Sequence, residues 1–374
     1  MKIAVTIARI LTGSLFIFSG LVKAIDPKGL AYKMQEFFEA WSNSGFLPYL
    51  MKAFDEYALA FSVIMITLEV FVGVALLVGW KKKFTTWILL LLILFFTFLT
   101  SYVLFSGKIR ACGCFGDCIP LTPIQTFSKD IILLLLVIFL LFNLKYITPI
   151  AKPFINTSIV VIATLLTLFL QWYVLRNLPL VDCLPYKPGN NILELRKVPA
   201  NAIQDKYKYS FIYEKDGVQK EFESSADSTW KFVDRKQTLI EKGSNNIPII
   251  NDFSLSTESG NDSTEAILNT IGEYYLLYIK DLDGYPKNWD GDAMILNKLH
   301  VENKKVYVVT SQIEKIKKHF STLRGVESVL PTLQFLTCDA VVLKTVARVN
   351  PTLYLMNGPV VKQKWSWTEF KTIK

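Results

Sequence analysis

Residues 84–105 read FTTWILLLLILFFTFLTSYVLF, with no charged side chain among them. The run matches the roughly 20 helical residues that cross a hydrocarbon core of about 30 Å. Lipid offers its backbone no hydrogen-bond partner, so the segment must be helical. Working outward, Ile3 to Val22, Tyr57 to Gly79, Ile131 to Leu144 and Ser158 to Leu175 read the same way. The chain is therefore expected to cross a bilayer five times, and lipid is its first partner. A cleaved signal peptide is the competing reading of the first segment. Its length, the interrupting Arg9 and the bulky Val22 speak against cleavage.

Lys81, Lys82 and Lys83 lie between the second and third spans, and Lys145 and Lys152 between the fourth and fifth. Short loops rich in lysine stay cytoplasmic. That places the N-terminus inside, and puts residues 23–56, residues 106–129 and everything beyond Leu178 outside. Within the first outer loop Leu30, Met34, Phe37, Phe38 and Trp41 recur at helical spacing between charges, predicting an interfacial helix that caps the bundle.

The 374 residues are 51% hydrophobic with a mean hydropathy of +0.33, an average over an apolar front and a polar back. The net charge of +9 comes from 41 Lys and Arg against 32 Asp and Glu. These lysines are interleaved with acids and form no basic stripe with stacked aromatics, which argues against nucleic acid as a partner. His300 and His319, the only histidines, are expected to be ordinary surface residues. Both lie far from the membrane half, which excludes a multi-histidine metal site or Ser/His/Asp catalysis there.

Beyond the fifth span, Leu178 to Asn190 reads as a turn-rich linker. Tyr207 to Tyr213 and Val218 to Phe222 flank Asp216-Gly217, a hairpin signal. Thr229 to Val233 and Thr238 to Ile240 extend it. From Phe253 strands alternate with helices: strand Tyr274 to Ile279, helix Asp290 to Leu299, strand Val306 to Thr310, helix Ser311 to Leu323, helix Asp339 to Val346, then a hairpin of Thr352 to Met356 and Val360 to Trp365. This pattern predicts a helix-covered α/β sheet. The expected organisation is a membrane domain at 1–150, a fifth membrane helix at 151–178, a linker and β-hairpin region at 179–252, and an α/β domain at 253–374.

Three of the five cysteines, Cys112, Cys114 and Cys118, fall within seven residues of the second outer loop. An outer loop meets an oxidising compartment, where disulfides persist. Gly113 and Gly116 allow the tight backbone that brings α-carbons to disulfide distance. Three thiols suffice for one disulfide and one attacking thiolate, and Lys108 and Arg110 are near enough in sequence to favour ionisation. A structural staple, a redox exchange site and a metal site all remain open. Zinc wants four Cys or His ligands, and only Asp117 stands near to complete a set. In the spans, Arg9 and Glu69 are costly unless paired or facing a polar cavity. They are expected to form a buried pair holding the bundle together, or to mark a proton or quinone site.

Arg9, residues 16–23 (FIFSGLVK), Asp26-Pro27, and Leu68-Glu69 followed by Gly73 and Gly79 resemble the DoxX family of membrane proteins. Cys112-Gly113-Cys114-Phe115-Gly116 ahead of a helix containing Asp130 resembles the related methylamine-utilisation protein MauE. The MauE family is associated with maturing a disulfide-rich dehydrogenase beside a thioredoxin-like partner. Its bundle is thought similar to vitamin K epoxide reductase and DsbB, which implies quinone-coupled disulfide chemistry. The whole chain resembles a Bacteroidetes group in which such a bundle is fused to an outer domain. That likeness implies the bacterial inner membrane, with the C-terminal domain periplasmic. Residues 253–374 resemble a thioredoxin fold, with Asn350-Pro351 at the position of its cis-proline. Residues 280–286 (KDLDGYP) stand where thioredoxins carry Cys-x-x-Cys, so dithiol exchange by this domain alone is not expected.

The resulting expectation is a membrane thiol–disulfide or electron-transfer protein of the cell envelope. Cys112 or Cys114 attacks, Cys118 resolves, Lys108 and Arg110 tune the thiolate, a quinone is the electron carrier, and an envelope protein is the thiol or disulfide partner. No metal is expected. Cys338 precedes a helix whose N-terminus would lower its pKa, though a lone cysteine more often only packs. Cys183 is close enough to the membrane to reach the loop cluster. The alternative is a non-catalytic scaffold whose degenerate thioredoxin-like domain binds a partner protein.

Overall fold

The computed structural model describes residues 1–373 except 110–112, 114, 242, 244 and 287–290. Five helices are long and apolar enough to span a bilayer: α1 (Lys2–Ala24), α4 (Ala58–Val78), α5 (Lys82–Ser106), α6 (Pro123–Phe142) and α7 (Pro153–Arg176). The fourth span begins at Pro123, well before the expected Ile131. Its start is fixed by Thr122, whose side chain accepts from Gln125 N while the Gln125 side chain accepts from Thr122 N. This reciprocal cap satisfies two orphan donors.

Helices α1 and α4 pack closely through small residues. A Cβ on Gly73 would lie 2.8 Å from the Gly13 carbonyl oxygen, so neither helix can widen there. The loop between the first two spans holds two helices, not the single one expected: α2 (Pro27–Asn43) and α3 (Pro48–Glu56). Gly45 at φ 81° and Leu47 at φ 41° turn the chain between them. The Asp26 carboxylate accepts from Gly29 N and caps α2.

After α7 the linker runs along the soluble domain, past the short α8 (Ile192–Leu195), to a three-stranded antiparallel sheet of β1 (Lys206–Lys215), β2 (Val218–Phe222) and β3 (Lys231–Glu241), in the order β2-β1-β3. The two segments expected to extend the hairpin form one continuous strand, because β3 pairs with β1 along its length with a bulge near Tyr213.

The α/β domain comprises β4 (Ser256–Thr257), α9 (Thr264–Leu268), β5 (Glu273–Tyr278), α10 (Gly291–Val301), β6 (Lys305–Thr310), α11 (Ile313–Phe320), β7 (Gln334–Thr337), α12 (Ala340–Val346), β8 (Thr352–Asn357) and β9 (Val360–Ser366). Its sheet order is β4-β7-β6-β5-β8-β9. Strands β5, β6 and β7 are parallel, and β8 and β9 are antiparallel. A β-α-β unit followed by an antiparallel hairpin and a closing helical turn (Trp367–Thr372) makes this a thioredoxin-like domain. Strand β7 had no expected counterpart, and α11 ends at Phe320 rather than Leu323.

Both faces of the central strand are covered, so β5 reads as a continuous apolar run. Tyr274, Leu276 and Tyr278 pack with α12 and with linker residues Tyr186 and Ile192. Tyr275, Leu277 and Ile279 pack with α10 and α11.

Candidate functional site

Cys118 forms a disulfide with Cys183, across 65 residues of sequence and with a Cα–Cα distance of 4.9 Å. This corrects the expectation that Cys118 resolves within its own loop: its partner is the linker cysteine just beyond α7. A bonded Cys118 has no thiolate to offer a metal. Cys112, Cys114 and Arg110 lie outside the described residues, and Lys108 is exposed.

The thioredoxin-like domain docks on the outer end of the bundle beside this disulfide. Arg348 sits two residues before the cis peptide Asn350–Pro351. Its side chain is only 8% exposed, with Nε 2.8 Å from Asp26 and Nη2 2.8 Å from Asp117. Burial works against its charge, but Asp26 and Asp117 outweigh that, and its pKa moves up. Lys28 donates to the Arg348 carbonyl at 2.7 Å, and the Tyr32 ring lies under both Lys344 and Arg348. On the other side Lys280 donates to the Tyr32 hydroxyl at 3.4 Å. Burial, and then Lys28, pull the Lys280 ammonium down to about 7. A second contact joins Thr368 to Asn177 at the end of α7.

Two clefts meet at the disulfide. The inner one, about 20 Å³, is lined by Val22, Asp26, Gly116, Cys118 and Cys183. The outer one opens between α2 and α12, and includes Tyr32, Asp117, Cys183, Lys344 and Arg348. Cys183 lines both, Cys118 only the inner one.

Beneath the cysteine loop a third, narrow cleft of about 20 Å³ lies between α1, α4, α5 and α6. Phe16, Ile93, Phe96, Phe115 and Leu133 supply its apolar wall, and Ser19, Lys23, Glu69, Lys129 and Asp130 its polar lining. Lys23 and Glu69 are 2% and 1% exposed and form an ion pair at 2.5 Å. Lys23 also sits 4.6 Å from the Phe96 ring centre. Asp130 is fully buried, with Oδ1 2.6 Å from Lys129 and Oδ2 accepting from Thr100. Phe115 reaches into this cleft from the cysteine loop, stacking on Phe18 with Lys129 over its ring.

The expected Arg9–Glu69 pair is not formed. In the antiparallel packing of α1 and α4, Gly20 lies beside Glu69 and Val70, which places Glu69 eleven residues, or about 16 Å, along α1 from Arg9. Arg9 instead donates to the carbonyls of Leu76, Leu77 and Thr148 at the far end of the bundle. There it satisfies the last carbonyls of α4.

Residues 1–143 match the family model of the methylamine utilisation protein MauE. The membrane half is MauE-like. Residues 207–242, the three-stranded sheet, match a second family model, a domain of unknown function, DUF8463. Protein TlpB of Flavobacterium psychrophilum is 30% identical over 175 residues, 45% of this chain. The match spans 44% of that relative's length.

Several residues of the MauE-like half and its neighbour went unread in the sequence. Lys23 closes α1, where a lysine reads as a residue snorkelling to the interface. The partners of Arg348 lie far away in the chain. Cys338 precedes α12, but burial and then Asp339 push its thiol up to about 12, so it packs and does not react. His319 is half-buried against Tyr285 rather than on the surface, because α11 turns it toward the core.

Proposed function

We propose that the chain is a membrane thiol–disulfide exchange protein of the bacterial envelope, with its N-terminus cytoplasmic and its thioredoxin-like domain periplasmic. Cys112 and Cys114 form the exchanging pair, tuned by Lys108 and Arg110 and coupled to a quinone in the cleft that Phe115 enters. In this reading the DoxX-like features, Arg9 and the glycines around Glu69, belong to the scaffold that shapes the cleft. The domain division at residues 150, 178 and 252 belongs to the same proposal.

The observation that carries this reading is the intramembrane cleft below Phe115, next in sequence to Cys114. A planar head group with two carbonyl oxygens suits aromatic walls bearing a few cationic donors; Phe16, Phe96, Phe115, Lys23 and Lys129 supply both, and the helices must part to admit it, because the closed cleft holds about 20 Å³. The Lys23–Glu69 and Lys129–Asp130 pairs keep charge in a lipid-depth site where an unpaired ion would be costly. With Cys118 committed to Cys183, exchange falls to the other two loop cysteines. A partner thiolate attacks one sulfur of a Cys112–Cys114 disulfide and the other cysteine leaves as thiolate. The partner's second thiol then breaks the mixed disulfide. The partner has lost two electrons and two protons, and both loop cysteines are thiols. A quinone bound in the cleft supplies the acceptor for that pair of electrons and protons.

In lipid nanodiscs with dithiothreitol as dithiol donor, the protein should reduce a short-chain ubiquinone. Cys112→Ser and Cys114→Ser should each abolish turnover. Equal rates in wild type and both variants would remove the cysteines from the reaction. One observation favours the scaffold reading: the cis-proline end of the domain is covered by α2 of its own chain. If wild type reduces no quinone, that reading takes precedence.

A further inference from the structure

A reactive Cys112/Cys114 pair a few residues from a second disulfide raises a problem of selectivity, because thiolates attack whatever disulfide sulfur they can reach. The Cys118–Cys183 bond is not in the core. Both cysteines are half-buried, and Cys183 lines the cleft that opens between α2 and α12. The loop that carries Cys118 is held by a side chain from the far end of the sequence. Arg348 binds Asp117, the residue before Cys118, and Asp26, the residue that caps α2. One guanidinium therefore ties the cysteine loop, the first outer helix and the thioredoxin-like domain together around one disulfide. The fit is close: a Cβ on Gly29 would lie 2.8 Å from the Asp26 carboxylate and 3.5 Å from Arg348. Charge-assisted hydrogen bonds of this kind are the stronger ones, and the planar guanidinium suits two carboxylates at once.

We propose that Arg348 is a positioning residue that insulates the Cys118–Cys183 disulfide, so that thiol exchange stays with Cys112 and Cys114. The thioredoxin-like domain, having no Cys-x-x-Cys, then serves the redox site by holding the cysteine loop in place. This rests on the exchange reading of the loop for its purpose, but the insulation itself is measured without quinone or partner. When the grip is lost, the loop carrying Cys118 swings, and a thiolate in the outer cleft gains the in-line approach to Cys183 Sγ that the held loop denies it. The new sulfur–sulfur bond forms there as the Cys118–Cys183 bond breaks, and Cys118 leaves as a thiolate. A second thiol of the attacking reagent then releases Cys183 and the reagent departs oxidised.

The test uses the full chain in nanodiscs, dithiothreitol as reductant, and alkylation with mass spectrometry to follow each cysteine. Cys338 is buried and free, so its protection reports an intact domain. Arg348→Gln should speed reduction of Cys118–Cys183 by about tenfold or more, given two charge-assisted bonds removed. On mild oxidation it should also yield bonds from Cys118 to Cys112 or Cys114. Arg348→Lys should recover part of the protection, and Asp117→Asn, at an exposed position, should mimic the loss in part. Should Arg348→Gln expose Cys338, Asp117→Asn decides the matter. Faster reduction with Cys338 still protected upholds the proposal. Wild-type reduction rates and unscrambled pairing overturn it, while leaving quinone reduction by Cys112 and Cys114 as a separate result.

Discussion

Replacing Lys23 with Met should lower the unfolding free energy of the membrane half by about 3–5 kcal/mol, the usual cost of leaving one partner of a buried ion pair alone. Glu69 is 1% exposed and Lys23 is the cation that faces it, so the carboxylate would be stranded in a low-dielectric bundle. Adding Glu69→Leu should restore most of the stability, because a buried pair replaced by packed apolar residues is often neutral or stabilising. Helix loss on titration with a denaturing detergent measures both steps. A double variant as unstable as Lys23→Met alone would mean that the pair is not the cause. The same double variant separates stability from function: it should fold and still fail to reduce quinone, because Lys23 and Glu69 are gone from the polar lining of the cleft.

The second large effect concerns Asp292, which is fully buried in the first turn of α10, accepts from the Tyr285 hydroxyl and has an Oδ1 with no partner among the described residues. Burial raises its pKa to about 7, and the Tyr285 hydrogen bond offsets only part of that. The folded domain therefore keeps a proton that the unfolded chain has already released above its ordinary value near 4. Between those two pH values the native state binds more protons than the unfolded state, so stability falls as pH rises. Above the folded value the loss is complete, about 4 kcal/mol at its largest at 1.36 kcal/mol per pH unit. Asp292→Asn has no proton to lose. Urea unfolding of the full chain, followed through the exposure of Cys338, should show the variant gaining on wild type steadily from pH 4 to 7 and level beyond. A constant difference across that range would place the proton elsewhere.

The spans were legible because their length and apolarity are set by the bilayer alone. The hairpin at Asp216-Gly217 was legible because a two-residue turn is a local demand, met by positive φ at both positions. The α/β pattern after Phe253 gave the thioredoxin-like domain through its period, but β7 escaped because Gln334–Thr337 is only four residues long and follows an irregular stretch. What stayed hidden depends on distance in the chain. Cys118 and Cys183 are 65 residues apart, and their meeting depends on where α6 and α7 deliver the backbone. The one sequence signal was an odd thiol in the loop and another beside the membrane. Glu69 was legible as a buried acid needing a partner. Its choice of Lys23 over Arg9 follows from the register between α1 and α4, which Gly13, Gly20 and Gly73 set by close contact. Arg348 lies in a stretch, Lys344 to Pro351, that shares the pattern of the resembled group, but its partners Asp26 and Asp117 are 322 and 231 residues away and appear only when the domain is docked.

The claim at the centre of this account is that Cys112 and Cys114 exchange electrons with a membrane quinone while Cys118–Cys183 stands apart. The most direct measurement is differential alkylation of all five cysteines in native membranes, before and after quinone depletion. The account predicts that Cys112 and Cys114 are a mixture of thiol and disulfide that shifts toward thiol on depletion, with Cys118 and Cys183 oxidised throughout. A loop whose cysteines keep one fixed state, unmoved by quinone and resistant to mild reductant, would contradict it.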